Sequence, residues 1–172
     1  MKLGKVCKLK RGNVITEKQS KLGEYPVISG GQTPAYYHNE YNREGNIITI
    51  AGSGVYAGYI AYWDKPIFVS DAFSIQGIKD ILNTKYVYYF LKTKQYKIYN
   101  MKTGAGIPHI YISDIEKITI PIPSIAIQNY IVSILDSFQT YIADVEGLLP
   151  REIELRQKQY EYYREKLLNF RR

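Results

Sequence analysis

The chain has 172 residues, 45% of them hydrophobic and 23% charged, and carries a net charge of +7. That length and apolar content suit one domain, or one domain with an appendage, and exclude wholesale disorder. Seven prolines and 13 glycines without a period exclude collagen-like and low-complexity classes, and no run of ~20 apolar residues offers a membrane span. Met1-Lys2-Leu3-Gly4-Lys5-Val6 lacks the apolar core of a signal peptide. A single cysteine, Cys7, makes no internal disulfide, so a reducing, cytoplasmic compartment is expected. Tyrosine stands out, with 18 Tyr against 5 Phe and 1 Trp; its apolar ring and polar tip suit wet interfaces, while an AT-rich genome would also favour it.

In chain order, residues 1–123 read as β-rich. Tyr25-Pro26-Val27-Ile28-Ser29 is a short strand ending at Gly30-Gly31. Residues 46–51 form a β-branched run stopped by Gly52-Ser53-Gly54, and residues 55–63 read as one strand with Gly58 inside. Residues 66–70 and 72–75 give two more strands, so a compact, partly irregular sheet or barrel is expected. Asn83 or Thr84 caps a helix over 85–91, and a second, turn-rich helix covers 96–101. Residues 103–109 read as a loop, and 110–112 and 118–120 as closing strands, ended by Pro121 and Pro123.

Residues 124–172 differ in kind. After Pro123, with Ser124 as cap, Ile127, Ile131, Ile134, Phe138, Tyr141, Val145 and Leu148 recur at alternating spacings of four and three, an a/d heptad stripe. Leu135, Ile142 and Leu149 widen it. Gly147 and Pro150 interrupt it, and Ile153, Tyr160, Tyr163 and Leu167 continue it in a shifted register, so a kink or two helices are expected. A stripe this long exceeds what a small domain covers, so a partner helix is its expected burial site. The fold class is therefore α+β: a β-rich domain over 1–123, then long C-terminal helices over 124–172 forming an intermolecular coiled coil.

Charge divides at the same place. Residues 1–123 hold 14 Lys and 2 Arg against 9 acids, whereas residues 124–172 hold seven bases and seven acids. The whole excess sits on the first segment, which suits a polyanion, because neutralising phosphates releases counterions. An acidic protein surface or a membrane would be attracted by the same charge.

Catalytic patterns are largely missing. There is no Gly-x4-Gly-Lys-Ser/Thr phosphate loop. The run from Gly52 to Gly58 has the spacing Gly-x-Gly-x3-Gly and leads into a strand-like segment, unlike a dinucleotide loop. His38 and His109 lie far apart with no cysteine pair, so no metal site is expected, nor a cofactor. Asp64 and Asp71 are followed by no Glu-x-Lys, which a magnesium-dependent nuclease would need. Ser53, His109 and Asp71 contain the residue types of a triad, without a nucleophile elbow. No Asn-Pro-Pro-Tyr or Asp-Pro-Pro-Tyr signature of an adenine methyltransferase is present.

Two groups of motifs occur in order. One is Tyr25-Pro26-Val27-Ile28-Ser29-Gly30-Gly31, then Ile47, Thr49, Ala51 and Gly52, then Val69-Ser70-Asp71-Ala72-Phe73. The other is Lys102-Thr103-Gly104-x-Gly106-Ile107-Pro108, then residues 118–123, then Gln128, Ile131, Leu135 and Asp136. This order resembles the specificity subunit of type I restriction-modification systems, as one target recognition domain followed by one helical conserved region. It departs from the family pattern at Ser124, where a proline is usual, and at Ile127, where a glutamate is usual. It also departs in length, since a full subunit has two of each part, so the chain looks like a half-subunit.

The resemblance implies a non-catalytic DNA-binding subunit. Each recognition domain would read one half of a bipartite sequence, the helices would fix the gap, and methyltransferase and restriction/translocase subunits would assemble on the scaffold. A half-subunit would rebuild the arrangement as a homodimer, or with a second half-subunit. A homodimer would read a palindrome, with its helices preferably antiparallel. Base-reading candidates are Ser29, Gln32, Thr33, Ser53, Tyr56, Thr103 and His109. Lys10, Arg11, Lys18, Lys94 and Lys102 are candidates for phosphate, and Tyr36 and Tyr37 for stacking or for bonding to the backbone. The dimer seam would comprise Ile127, Ile131, Ile134, Phe138, Tyr141, Val145, Leu148, Ile153, Tyr160, Tyr163 and Leu167. Two other readings stay open: a basic protein-interaction adaptor or truncated regulator that does not read DNA, and an enzyme with a hidden triad or nuclease site.

Overall fold

A computed structural model describes residues 1–104 and 106–168; side chains at 144, 146, 160 and 163–168 lie outside the description. Contacts divide the chain into two units, Met1–Val132 and Ser133–Arg172. Seven strands and four short helices build the first: α1 Leu3–Val6, β1 Cys7–Arg11, β2 Tyr25–Ile28, β3 Tyr36–His38, β4 Ile47–Ala51, β5 Ile60–Trp63, β6 Phe68–Val69, β7 Ala72–Gly77, α2 Thr84–Lys92, α3 Gln95–Tyr99 and α4 Ile112–Glu116. A long helix, α5, spans Ile125–Leu168.

The strands form two sheets, an antiparallel one ordered β1-β7-β4-β5 and a small one ordered β3-β2-β6. β4 is inner, and all five of its residues are buried. Its run of Ile47-Ile48-Thr49-Ile50-Ala51 lacks polar alternation because both faces are covered. Ile48 and Ile50 join the main core with Ile60, Ile75, Val87, Leu91, Ile98, Ile115 and Ile120. Ile47 faces the other way, into a second cluster with Ile28, Ile67, Val69 and Ala72. Thr49, also buried, accepts a 2.9 Å bond from the Trp63 indole, so its hydroxyl is not stranded.

The chain start is laced to the end of the β-rich part. The Met1 amine donates to the Ile120 carbonyl at 2.7 Å, and the Leu3 amide to the Ile118 carbonyl at 2.9 Å. The expected strand at 118–120 is therefore a single bridge, Lys2 with Thr119. α2 starts at its expected cap, the Asn83 side chain accepting from the Lys85 and Tyr86 amides. Asn42 stands in for a strand neighbour, its amide group bonding both the N–H and the C=O of Val69 at 2.8 and 2.9 Å.

Several expectations are corrected. Residues 55–59 are a turn, not strand: Gly54 and Gly58 have φ of +82° and +86°, and the Ala57 amide turns back to the Gly54 carbonyl. Residues 110–112 are not a strand, because Ile112 opens α4 and delivers Ile115 to the core. β1 and β3 carry no apolar run and went unforeseen. β1 is an edge strand, where Lys8, Lys10 and Arg11 are at home. Of the two alternatives at Pro150, a kink or two helices, the second is excluded, because α5 continues through Pro150 as one helix; a proline removes one helical hydrogen bond, and the apolar positions persist on both sides. Among the described residues no helix is long and apolar enough to cross a membrane.

The root of α5 belongs to the first unit. Ser124 Oγ accepts from the Ile127 amide at 3.5 Å. Gln128 is fully buried and uses its whole amide: Oε1 accepts from the Asn83 amide at 2.8 Å, and Nε2 donates to the Ile81 and Pro123 carbonyls at 3.0 and 2.9 Å. The Asn83 side chain also donates to Asn129. The residue that caps α2 is thereby bonded to the first turns of α5.

Candidate nucleic-acid interface

Three glycine-bearing loops meet at Ser53. The segment around His109 pairs on one side with Thr103, through reciprocal bonds of 3.0 and 2.8 Å, and on the other bridges to Ser53. The Gly54 amide donates to the Pro108 carbonyl and the Ile110 amide to the Gly52 carbonyl, both at 3.0 Å. Gly104, at φ +109°, makes the reversal between Thr103 and His109. From the first loop in chain order, at 29–33, Gly30 lies so close to the Ser53 carbonyl that a Cβ there would stand 2.7 Å from it, so only glycine lets the backbones approach.

The Ser53 hydroxyl donates to the Asp71 carboxylate. That bond fixes the hydroxyl proton inward and leaves Ser53 Oγ to offer lone pairs outward. Asp71 belongs to the Val69-Ser70-Asp71-Ala72-Phe73 motif and is absent from the base-reading candidates; a carboxylate in an otherwise small and apolar run is the signal that marks it. Asp71 also lines a small cleft with Arg11, His109 and Tyr111. Lys102 Nζ donates to the Val55 carbonyl at 3.0 Å and lies 4.6 Å from the Tyr99 ring centroid, tying the second and third loops to α3. Val55, Tyr56 and Ile107 are exposed beside it.

Ser53, Tyr56, Lys102, Thr103, His109 and Arg11 are thus gathered, with Ser29 next to Gly30 on the adjoining loop. Gln32 and Thr33 are exposed further along that loop. Lys10 follows the period of two and leaves β1 on the face opposite Arg11. Lys18 is exposed in a short 3-10 turn, Glu17–Gln19. Tyr36 Oη is committed to the Ile15 carbonyl at 2.6 Å, and burial, with Glu17 nearby, pushes its phenol pKa up. Tyr37 is exposed. Lys94 lies over Phe90 at 5.6 Å, one residue before Gln95, whose side chain bonds the Gly58 carbonyl at 2.7 Å.

The triad residue types come together without triad geometry. The Ser53 hydroxyl goes to the carboxylate, and among the described residues no histidine nitrogen bonds either group. His38 is buried, and its Nδ1 lies 3.1 Å from Ser20 Oγ and 3.2 Å from the Lys21 amide, a structural role. No group of three metal-ligating side chains occurs among the described residues.

Of the seam residues, Ile131 is half-buried against the core of the first unit. Ile127, Ile134, Phe138, Tyr141, Val145, Leu148 and Ile153 are exposed, as are Ile142 and Leu149. Tyr160, Tyr163 and Leu167 are helical, and their side chains lie outside the described residues.

A basic β-rich unit with interlocked glycine loops roots a helix that carries an exposed heptad stripe. A family model described as the type I restriction modification DNA specificity domain matches residues 1–155. The chain belongs to that family, which is a specificity family and non-catalytic. It is 30% identical over 172 residues to a putative type I specificity subunit of Mycoplasma pneumoniae, covering 96% of this chain and 56% of the relative. It is 43% identical over 88 residues to the EcoR124I/EcoR124II specificity subunit of Escherichia coli, covering 50% of this chain and 22% of that one. The fold is shared with the crystal structure of a type I restriction-modification S subunit from M. genitalium, at a TM-score of 0.74 and 23% identity over 98% of this chain and 46% of that chain. The chain spans about half the length of the relatives it matches.

Proposed function

We propose that this chain reads one short element of duplex DNA through the loops at 29–33, 52–58 and 102–109, and that two copies pair through α5 to read a gapped palindrome. The observation that carries this reading is the convergence of the three loops on Ser53 within the segment that holds the whole charge excess. Ser29, Gln32, Thr33, Ser53, Tyr56, Thr103 and His109 reach for base edges. Lys10, Arg11, Lys18, Lys94 and Lys102 meet phosphates, and Tyr36 and Tyr37 flank the backbone. The recognition domain is 1–123 and the pairing region 124–172.

The exposed apolar stripe of α5 is what a second helix would cover. Antiparallel pairing sends the two readers to opposite ends and suits inverted half-sites. The paired helices set the gap and serve as the scaffold for methyltransferase and restriction/translocase subunits, in the cytoplasm. A second half-subunit would give two unlike half-sites. Light scattering tests the pairing. The account expects twice the 19.9 kDa chain mass, and a single-chain mass for the double variant Ile134→Asp/Phe138→Asp. A single-chain mass for the unmodified protein at every concentration would overturn the homodimer.

A further inference from the structure

Apart from Lys94, the charges and rings of the α2–α3 segment have no role assigned above. Between Asp80 and Asp114 the chain holds five lysines, at 85, 92, 94, 97 and 102, and no acid. Three of these lie over tyrosine rings: Lys85 over Tyr62 at 5.4 Å, Lys92 over Tyr59 at 5.5 Å and Lys102 over Tyr99 at 4.6 Å. Tyr62 and Tyr88 have centroids 5.4 Å apart, and Tyr59 acts electrostatically on both Tyr88 and Tyr99. Tyr62, Tyr88, Tyr59 and Tyr99 therefore make one half-buried row, with a lysine over three of its four members. Its Lys102 end is bonded to the Val55 carbonyl in the second reading loop.

Chemistry selects the occupant. A protein-docking patch has an apolar centre and is depleted of lysine, whereas here ammonium groups stand over the rings. Laying a lysine stem on a ring orders the side chain in advance while leaving its charge at the surface. Burial pushes up the phenol pKa of Tyr88 and Tyr99, so these two keep their O–H donors. Ordered cations and hydroxyl donors in a row are what phosphate oxygens along a backbone accept, without regard to sequence.

We propose that the row Tyr62, Tyr88, Tyr59 and Tyr99, with Lys85, Lys92 and Lys102, is a phosphodiester-tracking strip that holds the DNA backbone flanking the bases read by the loops. The proposal rests on the DNA-reading function above and adds a second, sequence-blind contact to it. The probe is a mixed-sequence 30-base-pair duplex, titrated with the full chain at salt from 50 to 300 mM. Lys85→Gln/Lys92→Gln is expected to bind about tenfold or more weakly at 0.1 M salt and to flatten the log K against log salt slope by about one to two, since each lost phosphate contact removes about 0.9 from that slope. The exposed control pair Lys2→Gln/Lys5→Gln should stay within about twofold of the unmodified chain. Should the double variant fail to fold, as judged by circular dichroism, the exposed single variant Lys92→Gln carries the test with half the slope change. A loss no greater than the control's overturns the strip and leaves loop reading standing. Absence of duplex binding by the unmodified chain at 50 mM salt overturns both.

Discussion

The sheets of the first unit and the helix of the second place isoleucines in opposite surroundings. In Met1–Val132, Ile48, Ile50 and Ile75 are fully buried; in the helix beyond Val132, Ile142 and Ile153 are 58% and 63% exposed. The chemistry of the residue is identical, and the difference is what each unit supplies to cover it. The first unit closes its own core between two sheets and four short helices. The second has one helix, and a single helix cannot bury its own stripe. The first therefore covers its own core, and the second leaves its stripe exposed, which is what the proposed pairing would cover.

Substitutions in the two settings sharpen this comparison. Ile50→Ala removes a fully buried side chain from the main core and should cost about 2–5 kcal/mol of stability, seen as a lowered denaturant midpoint. Ile153→Ala should leave that midpoint for the β-rich unit unchanged and weaken self-association instead. Equal stability losses at the two sites would break the comparison.

A smaller effect is expected at Gln128. Gln128→Ala strands the Asn83 amide and the Ile81 and Pro123 carbonyls in a buried place and should cost about 1–3 kcal/mol in chemical denaturation. Gln128 was legible as part of a motif, but its purpose was not. Sequence shows a glutamine one helical turn after Ser124, and only the fold brings residues 81–83 to it. An unaltered midpoint would mean that water replaces the amide and that the root of α5 needs no such lock.

The last effect is confined to alkaline pH and belongs to Cys7, whose thiol is buried and pushed up from 9.0 to about 12 by desolvation. The folded state keeps the proton that the unfolded chain loses above about pH 9. Stability is thus undiminished below that pH and falls as pH rises from 9 toward 12, by at most about 1.4 kcal/mol per unit. Denaturation at pH 8 and pH 10.5, compared with Cys7→Ala, measures it. A pH dependence identical in the variant would assign the loss to other groups.

What could be read in advance follows the range of the interactions. β2, β4, β7, α2 and the heptad stripe are announced by local patterns: β-branched runs, an Asn cap, four-three spacing. Residues 55–59 were misread because alternating small and aromatic residues imitate a strand, while the two positive-φ glycines that turn the chain carry no sign of their conformation. β1 was missed because an edge strand tolerates lysine. The meeting of Gly30, Ser53 and His109, separated by up to 79 positions, rests on sheet order, which local patterns do not encode. The candidate residues were nameable by type and neighbouring glycines; that Arg11 and Lys10 leave β1 on opposite faces followed only from the strand itself.

The central claim is that this domain reads sequence and that its helix doubles the reading. Selection of binding sites from a library of random duplexes by the full chain tests both together. The account predicts enrichment of two identical, inverted short elements separated by a fixed gap. No enriched sequence would contradict the reading function, and two unlike elements, or one without its inverted copy, would contradict the paired homodimer.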